Sequence, residues 1–259
     1  MSDALAQTLA DARVRGLKLG DYPGPAPESE EASFALQCRA ARLTGWHQTG
    51  WKIGCTSEMA QKMLNTDSPF PGPVYAERTI EDGGVVSFAD KALRLVEPEI
   101  AFTMARDLPP RGEAWTPEEA VEAAASAHLS LELVNRRLPG GLEDGNMWNI
   151  ADGGCNDAFV LGPANEVLPA GSYAGLELSV MRNDDVASTG KGVNALGGPD
   201  IALAWLANYL NAHGLHLKAG DVVTTGVVTG LIYVEPGDEI ISTCAELGEV
   251  SARYGAAQV

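Results

Sequence analysis

Residues 93–104 read LRLVEPEIAFTM and residues 129–134 read LSLELV. The first run is apolar except for Arg94, Glu97, Glu99 and Thr103. In a strand, residues two apart share a face, so Glu97 and Glu99 sit side by side on an otherwise buried element. At an effective dielectric near 20, two carboxylates about 4 Å apart repel by roughly 4 kcal/mol, and something positive is required between them. The second run carries a single acid at its centre, Glu132, which is the natural third ligand. Oxygen-only ligation by three carboxylates suits Mg²⁺ or Mn²⁺ rather than zinc, which favours His and Cys. The competing reading pairs these acids with Arg94, Arg136 or Lys91 at a solvated edge. Pro98, between the two acids, weighs against it, because proline cannot donate to a ladder and marks an edge or a bulge, and bulges are frequent beside active sites.

Outward from these two strands the chain divides in character. Residues 3–18 repeat Leu, Ala and Val at helical spacing up to a Pro/Gly break at residues 22–27 (YPGPAP). A second helical pattern opens at Ser29-Glu-Glu and runs through Phe34 and Leu36 to Leu43. Residues 1–50 are thus expected to form a helical amino-terminal cap, and residues 51–259 a mixed-β catalytic domain. That second part contains the short β-rich runs WKIG, VVSF, HLSLELV, DAFVLG, LELSVMRN, DVVTTG, LIYV and DEIISTC. Helical patterns interrupt it at residues 57–64, 117–127 and 200–213, the last set between Pro199 and Gly214. Helices scattered among strands, rather than alternating with them, argue against a doubly wound sheet or a (β/α)₈ barrel. The fold class expected is α+β, a mixed rolled β-sheet with a helical cap.

Composition narrows the partners. Apolar residues make up 45% and charged residues 20% of the 259, ordinary values for a globular chain able to bury a large core. Thirty-five acidic against eighteen basic side chains give a net charge of −17, which argues against nucleic acid and anionic lipid as partners. The same field opposes an anionic metabolite, so a site for one needs a cation or a placed Lys or Arg. The four cysteines lie far apart without CxxC spacing, as expected of reduced thiols in a cytoplasmic protein. Residues 1–20 lack an apolar signal core and no 18-residue apolar run occurs, so neither secretion nor a membrane span is expected.

The segment VEPEIAF, followed about thirty residues later by LSLELVNRRL, resembles the metal-binding strands of the fumarylacetoacetate hydrolase superfamily, in particular its 2-oxopent-4-enoate hydratase and 4-oxalocrotonate decarboxylase branch. Four more stretches agree in order. GWKIGCTSEMAQKML resembles the YKIGLTS segment of that branch, and GPVYAE a stretch ending in an acid. ADGGCNDAFVLG is similar to an ADNAS-type loop, and STGKGVNALGGPDIALAWLAN with LKAGDVVTTG resembles the helix and Thr-Gly strand near the carboxyl end.

The resemblance implies a mixed β-roll, a homo-oligomer, and a divalent cation held by Glu97, Glu99 and Glu132 that binds a small 2-oxo acid. It makes Lys52 the active-site lysine and puts Glu77 at the catalytic aspartate as general acid/base, with Cys155, Thr225 and Gly226 near substrate. The implied reaction is hydration of a 2-hydroxy-2,4-dienoate to a 4-hydroxy-2-oxo acid. Decarboxylation of a 2-oxo-enedioate, using Arg94 or Arg136 for the second carboxylate, is the alternative, and a non-catalytic metal-binding subunit is a third. The hydrolytic branch's G-x-N-Y-x-x-H-x-E segment does not occur. Two departures bear on the substrate: Gly153, Gly154 and Cys155 replace the Asn, Ala and Ser of the ADNAS loop, and Glu77 is one methylene longer than aspartate.

Overall fold

The structure, a computed structural model, describes residues 3–88 and 93–255. The chain runs through α1 (Asp3–Val14), α2 (Glu30–Leu43), β1 (Gln48–Gly54), α3 (Glu58–Leu64), β2 (Phe70–Tyr75), β3 (Thr79–Glu81), β4 (Val85–Ser87), β5 (Leu95–Met104), α4 (Pro117–Glu122), β6 (Ala124–Val134) and α5 (Asn146–Ala151). It continues through β7 (Asn156–Leu161), β8 (Glu177–Arg182), β9 (Asp185–Lys191), α6 (Pro199–Ala212), β10 (Val222–Val227), β11 (Ile232–Tyr233), β12 (Glu239–Cys244) and β13 (Gly248–Gly255).

Among the described residues the strands form two mixed sheets. The larger has the order β2-β1-β10-β5-β6-β7-β3, with β11 also pairing with β5, and the smaller has the order β4-β13-β12-β8-β9. The β1–β10, β3–β7 and β4–β13 pairs are parallel, and the others are antiparallel. This is the mixed α+β architecture expected, with the rolled body resolved into two sheets. The two acid-bearing strands, β5 and β6, lie at the middle of the larger sheet, where both neighbours fix their register. The main core gathers Ile53, Phe102, Leu131 and Val160 from that sheet, Ile240 and Val250 from the other, and Leu203, Leu206 and Leu210 from α6.

The amino-terminal helices have an apolar cluster of their own, in which Leu5, Leu9, Leu36 and Ala40 pack with Leu138, Trp148 and Ala151. Helix α1 stops well before the Pro/Gly break. Gly16 adopts φ +62°, and the N–H groups of Gly16 and Leu17 donate to the carbonyls of Arg13 and Ala12, closing a Schellman turn. Helix α2 starts as its sequence implies, with the Ser29 hydroxyl accepting from the Ala32 N–H.

Two segments differ from expectation. The helix expected over residues 117–127 covers only Pro117–Glu122, because residues 124–127 are drawn into β6 by pairing with Met104, Thr103 and Phe102. Strand β2, FPGPVY, carries no strand signal in its sequence; it tolerates Pro71 and Pro73 because it is the edge strand, bonded only to β1.

Candidate metal centre and active-site cleft

The antiparallel register of β5 and β6 places Glu97 directly opposite Glu132, with Glu99 two residues along the same face. One carboxylate oxygen from each of the three lies within 4.8 Å of the others. The two-residue spacing and a cross-strand pair are therefore enough to assemble the cluster.

Its third side comes from β10. Opposite Ile100, β10 accommodates an extra residue between Thr224 and Val227. In this bulge Gly226 takes φ +99° and turns its N–H out of the ladder to donate to Glu99 Oε2 at 2.8 Å. A Cβ on Gly226 would lie 2.0 Å from the Thr56 hydroxyl, so glycine is required there. Pro98 marks neither an edge nor a bulge: β5 is central, its pairing with β6 runs regularly through Pro98, and the bulge on β10 faces Ile100.

Lys52, on β1, is 2% exposed and places Nζ 3.2 Å from Glu132 Oε1. The same oxygen accepts from Asn156 Nδ2 at 3.2 Å. Glu132 Oε2 and Glu99 Oε1 are buried and have no hydrogen-bond partner. Each pair of ionised carboxylates within 4.8 Å repels by about 3.5 kcal/mol or more at an effective dielectric near 20, and a single lysine cannot offset three of them. The charge balance shows in the acids themselves. Burial, then the Glu132 carboxylate, pushes Glu97 up to about 7 against the pull of Lys52. Burial, then Glu132 and Glu97, holds Glu99 well above the usual carboxylate range. For Lys52 burial is the largest single influence and lowers it, but Glu132, Glu97, Cys155 and Glu99 together outweigh burial and raise it, keeping the ammonium charged. Two orphaned buried oxygens on acids that converge within 4.8 Å, in an all-oxygen donor set, fit a hard divalent cation.

The cations of the competing ion-pair reading are engaged elsewhere. Arg94 pairs with Glu235, and Arg136 donates to the Gly141 and Asp144 carbonyls and to the Tyr22 hydroxyl. Lys91 lies outside the described residues.

A cleft of about 260 Å³ opens from the acids, lined on its polar side by Glu97, Lys52, Asn149 and Cys155. The loop bearing Cys155 explains one departure from the ADNAS pattern. Gly153, Gly154 and Cys155 take φ of +69°, +64° and +60° in succession. A Cβ at 153 would lie 2.3 Å from Arg13 Nη2, and one at 154 would lie 2.6 Å from Lys52 Cε. The glycines thus make room for a guanidinium from α1 and for the stem of the site lysine. Arg13 donates to the carbonyls of Asp152 and Asn156, at 2.7 Å each, so the helical cap holds the backbone of the residue whose amide bonds Glu132. Asn156 is not evident as a site residue from sequence: its role depends on the β6–β7 bulge that brings it opposite Val134.

Three expected site residues lie elsewhere. Glu77 is on the surface after the far end of β2, where its carboxylate accepts from the His47 N–H at 3.0 Å, and it does not line the cleft. Thr225 is fully buried with its hydroxyl donated to the Ile100 carbonyl, and Gly226 faces Glu99, so both shape the acid strand rather than contact the cleft. Cys155 does line it, with its thiol directed at Asn149 Oδ1 and pushed up by burial to about 12, hence neutral.

Residues 65–254 match the fumarylacetoacetate (FAA) hydrolase C-terminal family model. The chain belongs to the fumarylacetoacetate hydrolase family. Within it, 2-keto-4-pentenoate hydratase 1 of Dechloromonas aromatica is 31% identical over 234 residues, covering 87% of this chain and 86% of the relative. The 2-hydroxyhexa-2,4-dienoate hydratase of Comamonas testosteroni is 29% identical over 260 residues, covering 96% and 94%. Among solved structures of the fumarylacetoacetate hydrolase fold, the 4-oxalocrotonate decarboxylase of Pseudomonas putida G7, complexed with magnesium and adipate, superposes with a TM-score of 0.86 at 25% identity, covering 97% of this chain and 96% of that one.

Proposed function

We propose that this protein is a divalent-metal-dependent lyase that hydrates a 2-hydroxy-2,4-dienoate to a 4-hydroxy-2-oxo acid. The observation that carries the reading is the convergence of Glu97, Glu99 and Glu132 with the buried Lys52 at the polar end of a cleft whose remaining walls are mostly apolar. The names of the hydratase relatives point the same way.

Glu97, Glu99 and Glu132 would hold the cation, Mg²⁺ or Mn²⁺, which would supply Lewis acidity to the bound 2-oxo acid. The chain's own residues do the rest. Lys52 sets a positive charge beside the 2-oxygen as negative charge develops there. With Glu77 outside the cleft, Lys52 is also the proton source for the terminal carbon: one Nζ proton passes to that carbon and the 2-hydroxyl proton replaces it on Nζ, so the ammonium is restored. Water then adds its oxygen at C4 and a proton at C3. The neutral Cys155 thiol and the Asn149 amide form a wall of the cleft beside this chemistry.

Decarboxylation of a diacid requires a second cation for the far carboxylate. Among the described residues lining the cleft, Lys52 is the one that carries positive charge, and Arg94 and Arg136 are committed elsewhere. Hydration of a monoacid is therefore the better fit.

The test is loss of the diene chromophore of 2-hydroxypenta-2,4-dienoate with Mg²⁺ or Mn²⁺, with released CO₂ measured in parallel on 2-oxohex-3-enedioate. Metal-dependent loss of absorbance without CO₂ is expected. Lys52→Met should lower kcat by about 100-fold or more while keeping metal binding. Release of CO₂ at a comparable rate, or full activity in Lys52→Met, would overturn the assignment.

A further inference from the structure

The cleft beyond the acids has a chemistry that the hydratase assignment leaves undefined. Its far walls are Met59, Met63 and Leu64 of α3, Phe70 at the start of β2, and Leu142 and Leu231 from two loops. Leu64 and Phe70 are buried, whereas Met59 and Met63 are 81% and 47% exposed and Leu231 is 38% exposed at the rim. The apolar surface is therefore continuous from beside Lys52, whose ammonium lies 5.8 Å from the Phe70 ring, out to solvent. Solvent-exposed methionines on a short helix cost the free protein apolar hydration, and such side chains adapt to ligands of varied shape.

A substrate held by its carboxylate and 2-oxygen at the acids directs its remaining carbons along this wall. A five-carbon dienoate ends close to its polar head and cannot reach residues at the rim. Resting on the hydratase reading above, we infer that the preferred substrate carries an uncharged apolar substituent, alkyl or aryl, on the terminal carbon of the diene, and that Phe70, Leu231 and the two α3 methionines select for it. A terminal carboxylate is disfavoured because it would lose water along a wall that offers no second cation, and the Asn149 amide there already donates to the Leu142 carbonyl, leaving Ser57 as the polar side chain near α3.

The experiment compares kcat/KM, with saturating Mg²⁺, for 2-hydroxypenta-2,4-dienoate, its terminal methyl, propyl and phenyl derivatives, and a chain-matched diacid. Each buried methylene is expected to raise kcat/KM about fourfold, and the diacid should fall at least tenfold below the propyl compound. Met59→Ser with Met63→Ser, both exposed and so harmless to the core, should cut the propyl-to-parent ratio about tenfold. A flat response to tail length with the five-carbon acid turned over, a preference for the diacid, or an unchanged ratio in the double variant would overturn this inference alone. Failure to hydrate any of the series would overturn the hydratase reading and this inference with it.

Discussion

Replacing Glu99 by Gln separates the charge of the cluster from its shape. In the native chain Glu99 faces two further carboxylates, each with an oxygen within 4.8 Å, and about 3.5 kcal/mol or more of repulsion with each when ionised. Without a cation, burial and its two neighbours shift it toward its protonated form. Glutamine has the shape of that protonated acid, and its oxygen can still accept from the Gly226 N–H, so the metal-free melting temperature should stay within about 2 °C of the parent. The cation response should not survive. At a free Mg²⁺ concentration about 100 times its Kd, binding stabilises the parent by about 2.7 kcal/mol, which raises the melting temperature of a chain this size by roughly 5–10 °C. With one charged ligand gone, the same Mg²⁺ should move Glu99→Gln by less than about 2 °C and leave hydration undetectable. Thermal unfolding with and without Mg²⁺ or Mn²⁺, followed by circular dichroism, measures this directly. A full shift in Glu99→Gln, or no shift in the parent with either ion, would refute the three-carboxylate site.

Two further substitutions test the corrected assignments. Glu77→Gln should leave kcat/KM within about twofold, because this side chain is on the surface and only accepts from the His47 N–H; a loss of tenfold or more would return it to the chemistry. Gly226→Ala forces a Cβ to 2.0 Å from Thr56 Oγ1 at a φ of +99°. It should destabilise the fold by about 1–3 kcal/mol and weaken Mg²⁺ about 10- to 100-fold through displacement of the Glu99 donor; native Mg²⁺ affinity by calorimetry would show that this N–H does not orient Glu99.

Periodicity carried much of the fold. The last helix, set between Pro199 and Gly214, forms as α6 over Pro199–Ala212, and most β-rich runs are strands. The failures share a cause: local preference was decided by position in the sheet. Residues 124–127 are good helix formers, but β5 offers them a continuous ladder and they extend β6. FPGPVY looks like a breaker until it is placed at an edge, where the missing N–H groups of Pro71 and Pro73 break no ladder.

The site divides along the same line. The residue pattern alone determined that two acids two apart on a strand share a face, that a third sits on a second apolar strand, and that so much negative charge needs a cation, because strand geometry and Coulomb's law act at the scale of a few residues. The pairing of Glu97 with Glu132, the bulge that turns the Gly226 N–H toward Glu99, the Asn156 amide on Glu132 and the removal of Glu77 to the surface were decided only by the tertiary structure. Each depends on register between strands distant in sequence, where a shift of one residue turns every side chain to the opposite face.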